Sequence, residues 1–135
     1  MTFVDTNILI DIVAADPSWQ DWSARALDAA FARGPTCINA IVYAEFAASF
    51  SDAKRCDEEL ENFELVMAPI SKLAAFYAAQ AFKAYRLVGG ARGNVLPDFF
   101  IGAHASDLGA TLLTRDVRRY RTYFPKLILI TPNVA

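Results

Sequence analysis

Short apolar runs alternate along this chain with longer stretches in which apolar residues return every three or four positions. The runs read as strands and the stretches as helices. Residues 2–4 form a short strand, and residues around 7–14 and 18–33 are helical, with Pro17 near the start of the second helix. After the Gly34-Pro35 break, Thr36 to Asn39 is a second strand. Helices follow at about 40–50 and 52–62, then a strand at 64–67 that Pro69 stops. A long helix over about 71–88 carries Ile70, Leu73, Tyr77, Ala81, Ala84 and Val88 at helical spacing. Gly89-Gly90-Ala91-Arg92-Gly93-Asn94 is a loop by composition. A helix over about 98–108, a strand at 111–114, a short helix near 117–123 and a strand at 127–130 complete the chain before Pro132.

Alternating strands and helices imply an α/β fold, with a mainly parallel sheet covered by helices on both faces. No internal repeat, low-complexity tract or long linker divides it, so residues 1–135 read as one compact domain. In such sheets ligands gather beyond the carboxyl ends of the strands, where the strand order switches. Asp5 lies at the end of the first strand, and Asp116 lies two residues beyond Thr114, which closes the strand at 111–114.

Composition narrows the class. Hydrophobic residues make up 55% and charged residues 21%, a globular rather than a disordered balance. No apolar run is long enough to span a membrane, and the N-terminus has no signal-peptide pattern. Cys37 and Cys56 are too few and too far apart for a zinc cluster or a disulfide framework. A reducing cytoplasm is the expected compartment. The net charge of -2 argues against a nucleic-acid partner until its distribution is seen. Residues 1–71 hold 4 Lys/Arg against 12 Asp/Glu, and residues 72–135 hold 9 against 3, balances of -8 and +6. That asymmetry allows a local basic surface on an acidic protein, although from charge alone ordinary solvated helix faces are the simpler explanation.

Four acids stand in apolar surroundings, and each has an ordinary structural reading beside a chemical one. Asp5, in Thr2-Phe3-Val4-Asp5-Thr6-Asn7, can cap the following helix; Thr6 can do so too, which would free Asp5. Glu45 has seven uncharged neighbours in Ile41–Ala48, so its helix face either meets solvent, opens onto a polar cleft or offers Glu45 a cation. Asp98 follows Pro97 at a helix start, where an acid suits the helix dipole. Its same-face neighbours Ile101, Gly102 and Ala105 are apolar or small and would turn it inward toward the strand ends. Asp116 can cap the short helix that follows.

Taken together, four carboxylates from separate segments can share a cleft only if cations offset their repulsion. An oxygen-only set without a His/Cys cluster favours Mg2+ or Mn2+ over zinc. Such ions hold a phosphate, acidify a bound water and stabilise a leaving oxygen in phosphodiester hydrolysis.

The segments Asp5-Thr6-Asn7, Tyr43-Ala44-Glu45-Phe46, Pro97-Asp98-Phe99-Phe100-Ile101-Gly102-Ala103-His104-Ala105 and Gly109-Ala110-Thr111-Leu112-Leu113-Thr114-Arg115-Asp116 resemble those of the PIN-domain ribonucleases. The order and spacing of these segments carry the resemblance over essentially the whole chain. Length and the Pro132-containing tail look like the VapC toxins of VapBC toxin–antitoxin modules. The resemblance implies an α/β/α sandwich, a divalent-metal site (Mg2+ or Mn2+) and endonucleolytic cleavage of RNA. It implies Asp5 and Asp98 as the principal metal-binding acids. Glu45 and Asp116 complete the catalytic set, Asp116 as a further metal ligand, and Thr6, Asn7 and Thr114 orient the acids. It also implies a homodimer and a VapB-type antitoxin whose tail covers the cleft.

Lys83, Arg86, Arg92 and Arg115 form a candidate basic rim for RNA phosphates, with Arg118, Arg119 and Arg121 close to Asp116. His104, six positions from Asp98, does not share its face and reads as a packed or hydrogen-bonded histidine. Trp19, Leu27 and Phe31 share one helical side, for which core packing is the default. Trp22 lies off that line, either a half-buried surface residue or a contact for a second copy or an antitoxin helix. Cys37 reads as a small buried hydrophobe.

Gly89–Asn94 matches neither a P-loop nor a dinucleotide fingerprint. A haloacid-dehalogenase phosphatase would repeat an Asp where Asn7 stands, and the paired acids of a receiver domain are missing. A PIN nuclease of RNA processing outside a toxin module, and a non-catalytic antitoxin-binding module, stay open.

Overall fold

The computed structural model describes residues 1–90 and 95–132. Arg92 and most of the glycine-rich loop lie outside these residues. In chain order the elements are β1 (Thr2–Val4), α1 (Thr6–Val13), α2 (Gln20–Arg33), β2 (Thr36–Ile38), α3 (Ala40–Ala47), α4 (Ala53–Glu61), β3 (Val66–Met67), α5 (Lys72–Leu87), α6 (Leu96–Asp107), β4 (Thr111–Leu113), α7 (Arg118–Tyr123) and β5 (Leu129–Ile130).

The five strands form one parallel sheet in the order β3-β2-β1-β4-β5. The order therefore reverses between β1 and β4, the place where a ligand crevice opens in such sheets. Register brings the two chain exits together: Val4 pairs with Leu113, and the Asp5 N–H donates to the Leu113 carbonyl at 2.9 Å. Asp5 and Thr114 thus leave neighbouring strands side by side.

Strands of two or three residues cannot hold a sheet by hydrogen bonds alone. Their side chains supply the rest: Phe3, Val4, Cys37, Leu112 and Leu113 are fully buried, packed with Ile8, Leu9, Val42, Phe46 and Ile101 from the helices. Each large apolar side chain so buried contributes about 1.5–3 kcal/mol. Helix starts are set by polar caps. Asn39 Oδ1 accepts from the Val42 N–H, Asp52 Oδ1 from Arg55 and Ser71 Oγ from Ala74, so each satisfies a backbone donor that the helix leaves free. Helix α6 lacks a side-chain cap, and Pro97 occupies its first turn, where a missing N–H costs nothing. It begins two residues earlier than the sequence suggests, which puts Asp98 inside the first turn.

A second cluster joins α5, α6 and α7: Ala78, Val95, Phe99 and Ala103 pack with Phe82, Tyr85, Tyr123 and Phe124. Gly102 permits this approach, because a Cβ there would lie 2.5 Å from the Phe124 ring. The same packing decides which side of α5 is covered. Ala74 and Ala78 face inward, while Leu73, Phe76 and Tyr77 stay exposed, as does Val88. A helix lying close on another helix buries its small residues; the bulky stripe at helical spacing is left outside. Helix α2 departs in a similar way. Leu27 is buried but Phe31 is 48% exposed, and Trp22, which lies off the expected line, packs against the main core. Cys37 and His104 are buried as expected; Asn39 Nδ2 donates to His104 Nδ1 at 3.1 Å, and the ring edges onto Phe3.

Candidate functional site

Asp5 is 4% exposed and its two oxygens have different partners. Oδ1 accepts from the Thr6 N–H at 2.7 Å, so Asp5 itself caps α1. Oδ2 accepts from the Thr114 hydroxyl at 2.7 Å and the Tyr120 hydroxyl at 3.0 Å, with Asn7 Nδ2 at 3.4 Å. Thr6 does not replace it as the cap. Its hydroxyl instead donates to Glu45 Oε1 at 2.7 Å, tying α1 to α3. A single carboxylate can cap a helix and face a site because it has four lone-pair positions.

Asp98 enters from the first turn of α6 and is ion-paired with Arg119 of α7. The Arg119 guanidinium also lies over the Tyr85 ring, 5.8 Å from its centroid. Asp116 stands exposed beyond β4, and its own N–H donates to the Thr114 hydroxyl at 3.0 Å. It does not cap α7, whose first turn has no side-chain cap.

Electrostatics tie the four acids together. Burial pushes the Asp5 carboxyl up from 3.8 to about 6; the Asp98 charge adds to that, and the Thr114, Tyr120 and Thr6 hydrogen bonds oppose it. Burial likewise raises Asp98, Arg119 pulls it back, and the charges of Asp116 and Glu45 raise it further. Asp5 therefore feels the charge of Asp98, and Asp98 feels those of Asp116 and Glu45, beside the sheet's switch point. Tyr120 is 1% exposed and its hydroxyl is held well above its ordinary value by burial and these same charges, so it remains a donor.

The donor set is carboxylate and hydroxyl oxygen, which suits a hard divalent cation such as Mg2+ or Mn2+. Among the described residues no three His, Cys, Asp or Glu side chains are already drawn close enough to cage one. Arg119 provides the positive charge at Asp98 instead.

The basic residues separate into different environments. Arg115 is not on an open rim: its Nε and Nη2 donate to buried Asp11 at 2.6 and 2.8 Å, and its guanidinium stacks on Trp19, 4.9 Å from the ring centroid. Ser23 completes Asp11 with a hydroxyl at 2.7 Å. The Arg115 N–H also donates to Asn7 Oδ1, so this network fixes the turn that carries Asp116 against α1. Lys83 and Arg86 are exposed on α5, and Arg86 Nη1 reaches the Gly90 carbonyl at 3.2 Å.

Three residues of the site escape sequence reasoning. Tyr120 sits among arginines with nothing to mark its hydroxyl, and Asp11 looks like any acid on an amphipathic helix. Arg119 was visible only as one of several arginines near Asp116.

The family model described as PIN domain matches residues 2–125. No curated protein sequence matches the chain. Several solved structures are similar over nearly their whole length. VapBC2 from Rickettsia felis, bound to a DNA fragment from its promoter, shares 23% identity over 98% of each chain, with a TM-score of 0.76. VapBC-1 from nontypeable Haemophilus influenzae shares 19% over 96% of each chain, with a TM-score of 0.72. A toxin–antitoxin complex from Klebsiella pneumoniae shares 25%, covering 89% of this chain and 90% of that one, with a TM-score of 0.62.

Proposed function

The chain belongs to the PIN-domain family, and on that premise we propose that it is a Mg2+- or Mn2+-dependent endoribonuclease, the toxin of a type II toxin–antitoxin pair. PIN domains are nucleases, and the observation that carries the finer reading is the chain of carboxylates beside the β1/β4 switch point, Asp5 feeling the charge of Asp98 and Asp98 those of Asp116 and Glu45. The VapBC and toxin–antitoxin assignments of the similar structures support the toxin role. The reading treats residues 1–135 as one PIN domain with two protein partners, a second copy of the chain and a VapB-type antitoxin. Exposed apolar residues such as Leu73, Phe76 and Tyr77 are surface that a partner would cover.

Asp5, Asp98 and Asp116 would hold the cation. When bound it supplies Lewis-acid polarisation of the phosphate and lowers the pKa of an attacking water. The chain's own groups do the remainder. Thr114 and Tyr120 fix Asp5 by donating to the same oxygen, so the carboxylate keeps one orientation. Asn7 braces Asp5 and Thr114 together. Thr6 occupies Glu45 Oε1, which leaves Oε2 to accept a proton from the attacking water. Arg119, released from Asp98, is placed to meet phosphate charge.

The Arg119–Asp98 pair also favours a second reading. If Arg119 never leaves Asp98, the chain is a PIN-fold module that binds its antitoxin without cutting RNA. Antitoxin-free protein incubated with a structured RNA pool separates the two. Cleavage with Mg2+ or Mn2+ that disappears with chelator, and falls at least about 100-fold in Asp98→Asn, is expected. Well-folded protein that neither cuts RNA nor binds these ions would overturn the nuclease reading in favour of the binding module.

A further inference from the structure

Beside the acidic cleft, between α5 and α7, lies a cavity of about 280 Å³ lined by Tyr85, Asp116, Arg118, Arg119, Thr122 and Tyr123. Its lining combines the Asp116 carboxylate, two guanidinium groups and two tyrosine rings. The rings are held firmly. Tyr85 and Tyr123 meet edge to face at 5.9 Å, Tyr123 packs on Phe99 at 5.3 Å, and Tyr85 packs on Phe99 at 5.5 Å. Gly90 lies so close to Tyr85 that a Cβ there would be 2.5 Å from the ring. Arg118 is exposed, and among the described residues its guanidinium has no hydrogen-bond or ion-pair partner.

An aromatic wall beside arginines fits an unpaired nucleotide: every base has a face to stack, and every phosphate takes a guanidinium fork. The volume is below the roughly 300–1,000 Å³ of pockets for larger small molecules, so it suits one nucleotide unit rather than a duplex segment. We propose that this cavity is a single-nucleotide subsite for the RNA strand adjoining the cleavage position, with Arg118 and Arg119 on a phosphate and the Tyr85–Tyr123 wall against the base. The subsite deepens the nuclease reading and rests on it. It accounts for two side chains, Arg118 and Thr122, that the carboxylate cleft does not use.

Binding of a short fluorescein-labelled single-stranded RNA, followed by anisotropy in the presence of chelator, tests the subsite without any cleavage. Arg118→Gln removes an exposed charge without touching packing, and Thr122→Phe fills the cavity from an exposed helix position. Each variant is expected to weaken binding about tenfold, the loss of one charge-assisted contact or one stacked base. Arg118→Gln is further expected to reduce the slope of log affinity against log salt by about 0.7, one phosphate contact on a single strand. Thermal unfolding of both variants should match that of the parent. Unchanged affinity and salt slope in both, with metal-dependent cleavage intact, would overturn the subsite and leave the nuclease standing. A parent protein that binds no RNA in chelator yet cuts it with Mg2+ or Mn2+ would likewise overturn the subsite alone; one that neither binds nor cuts RNA and takes up neither ion would overturn both.

Discussion

Arg115 and Arg119 stand four residues apart, and each is paired with an aspartate from a distant helix, Asp11 and Asp98. Asp11 is 3% exposed and fully satisfied by a bidentate guanidinium and the Ser23 hydroxyl. Asp98 is 22% exposed and, among the described residues, takes a hydrogen bond from Arg119 alone while facing the charges of Asp116 and Glu45. The first pair is closed and the second is open to exchange. Burial and the number of satisfied lone pairs, rather than residue type, separate a structural ion pair from one that chemistry can use.

The sharpest break of this contrast is Arg115→Ala. It leaves Asp11 buried with one hydroxyl partner and removes the stack on Trp19, so a loss of about 3–5 kcal/mol in unfolding free energy is expected from urea titration. Arg115→Lys should recover only part, since an ammonium cannot reproduce the two-point fork. A loss under about 1 kcal/mol would place Arg115–Asp11 among ordinary surface pairs.

That distinction was not legible in the sequence, and the reason is physical. Within Arg115-Asp116-Val117-Arg118-Arg119-Tyr120, every residue looks like part of a solvated basic segment. Which arginine is committed depends on Asp11 and Trp19, about a hundred residues away along the chain. Strand and helix positions were legible, and the four acids stood out, because local patterning carries them: an apolar run ended by Asp5, a charge-free helix around Glu45, Pro97-Asp98 at a helix start. Tyr120 left no trace because a buried tyrosine in a short helix looks like core until its hydroxyl is seen on Asp5. Which side of α5 is covered was not legible either. Periodicity reports that a helix has an apolar side, and only the partner helix decides whether that side or the small-residue side is covered.

Asp5 extends the contrast, since it is as buried as Asp11 but its partners are hydroxyls and an N–H instead of a guanidinium. With its carboxyl raised to about 6, the folded, cation-free protein keeps a proton on Asp5 that the unfolded chain, at 3.8, has already released. The folded state then binds more protons, so stability falls as pH rises from about 4 to about 6 and stays lower above that. The fall attributable to Asp5 is about 3 kcal/mol. Urea titrations in chelator across this range should show it in the parent and not in Asp5→Asn. Equal pH slopes in the two proteins would mean that Asp5 is already ionised at low pH, with its hydrogen bonds outweighing burial.

The smallest effect on stability belongs to Arg119→Gln, and it decides whether the second pair is open in the sense used here. Both partners keep a quarter or so of their side-chain surface, so losing the pair should cost no more than about 1 kcal/mol. Its consequence for cations should be larger. Arg119 is the charge that holds Asp98 down against burial and against Asp116 and Glu45. Without it the three carboxylates repel one another more strongly, and a divalent cation relieves that repulsion without first displacing a guanidinium. Mn2+ affinity of the RNA-free protein, followed by the electron paramagnetic resonance of the free ion, is therefore expected to rise in Arg119→Gln while the unfolding midpoint barely moves. A fall in Mn2+ affinity would mean that Arg119 orients Asp98 for the cation rather than competing with it. The two arginines would then share one role, bracing an aspartate, and differ only in how deeply the brace is buried.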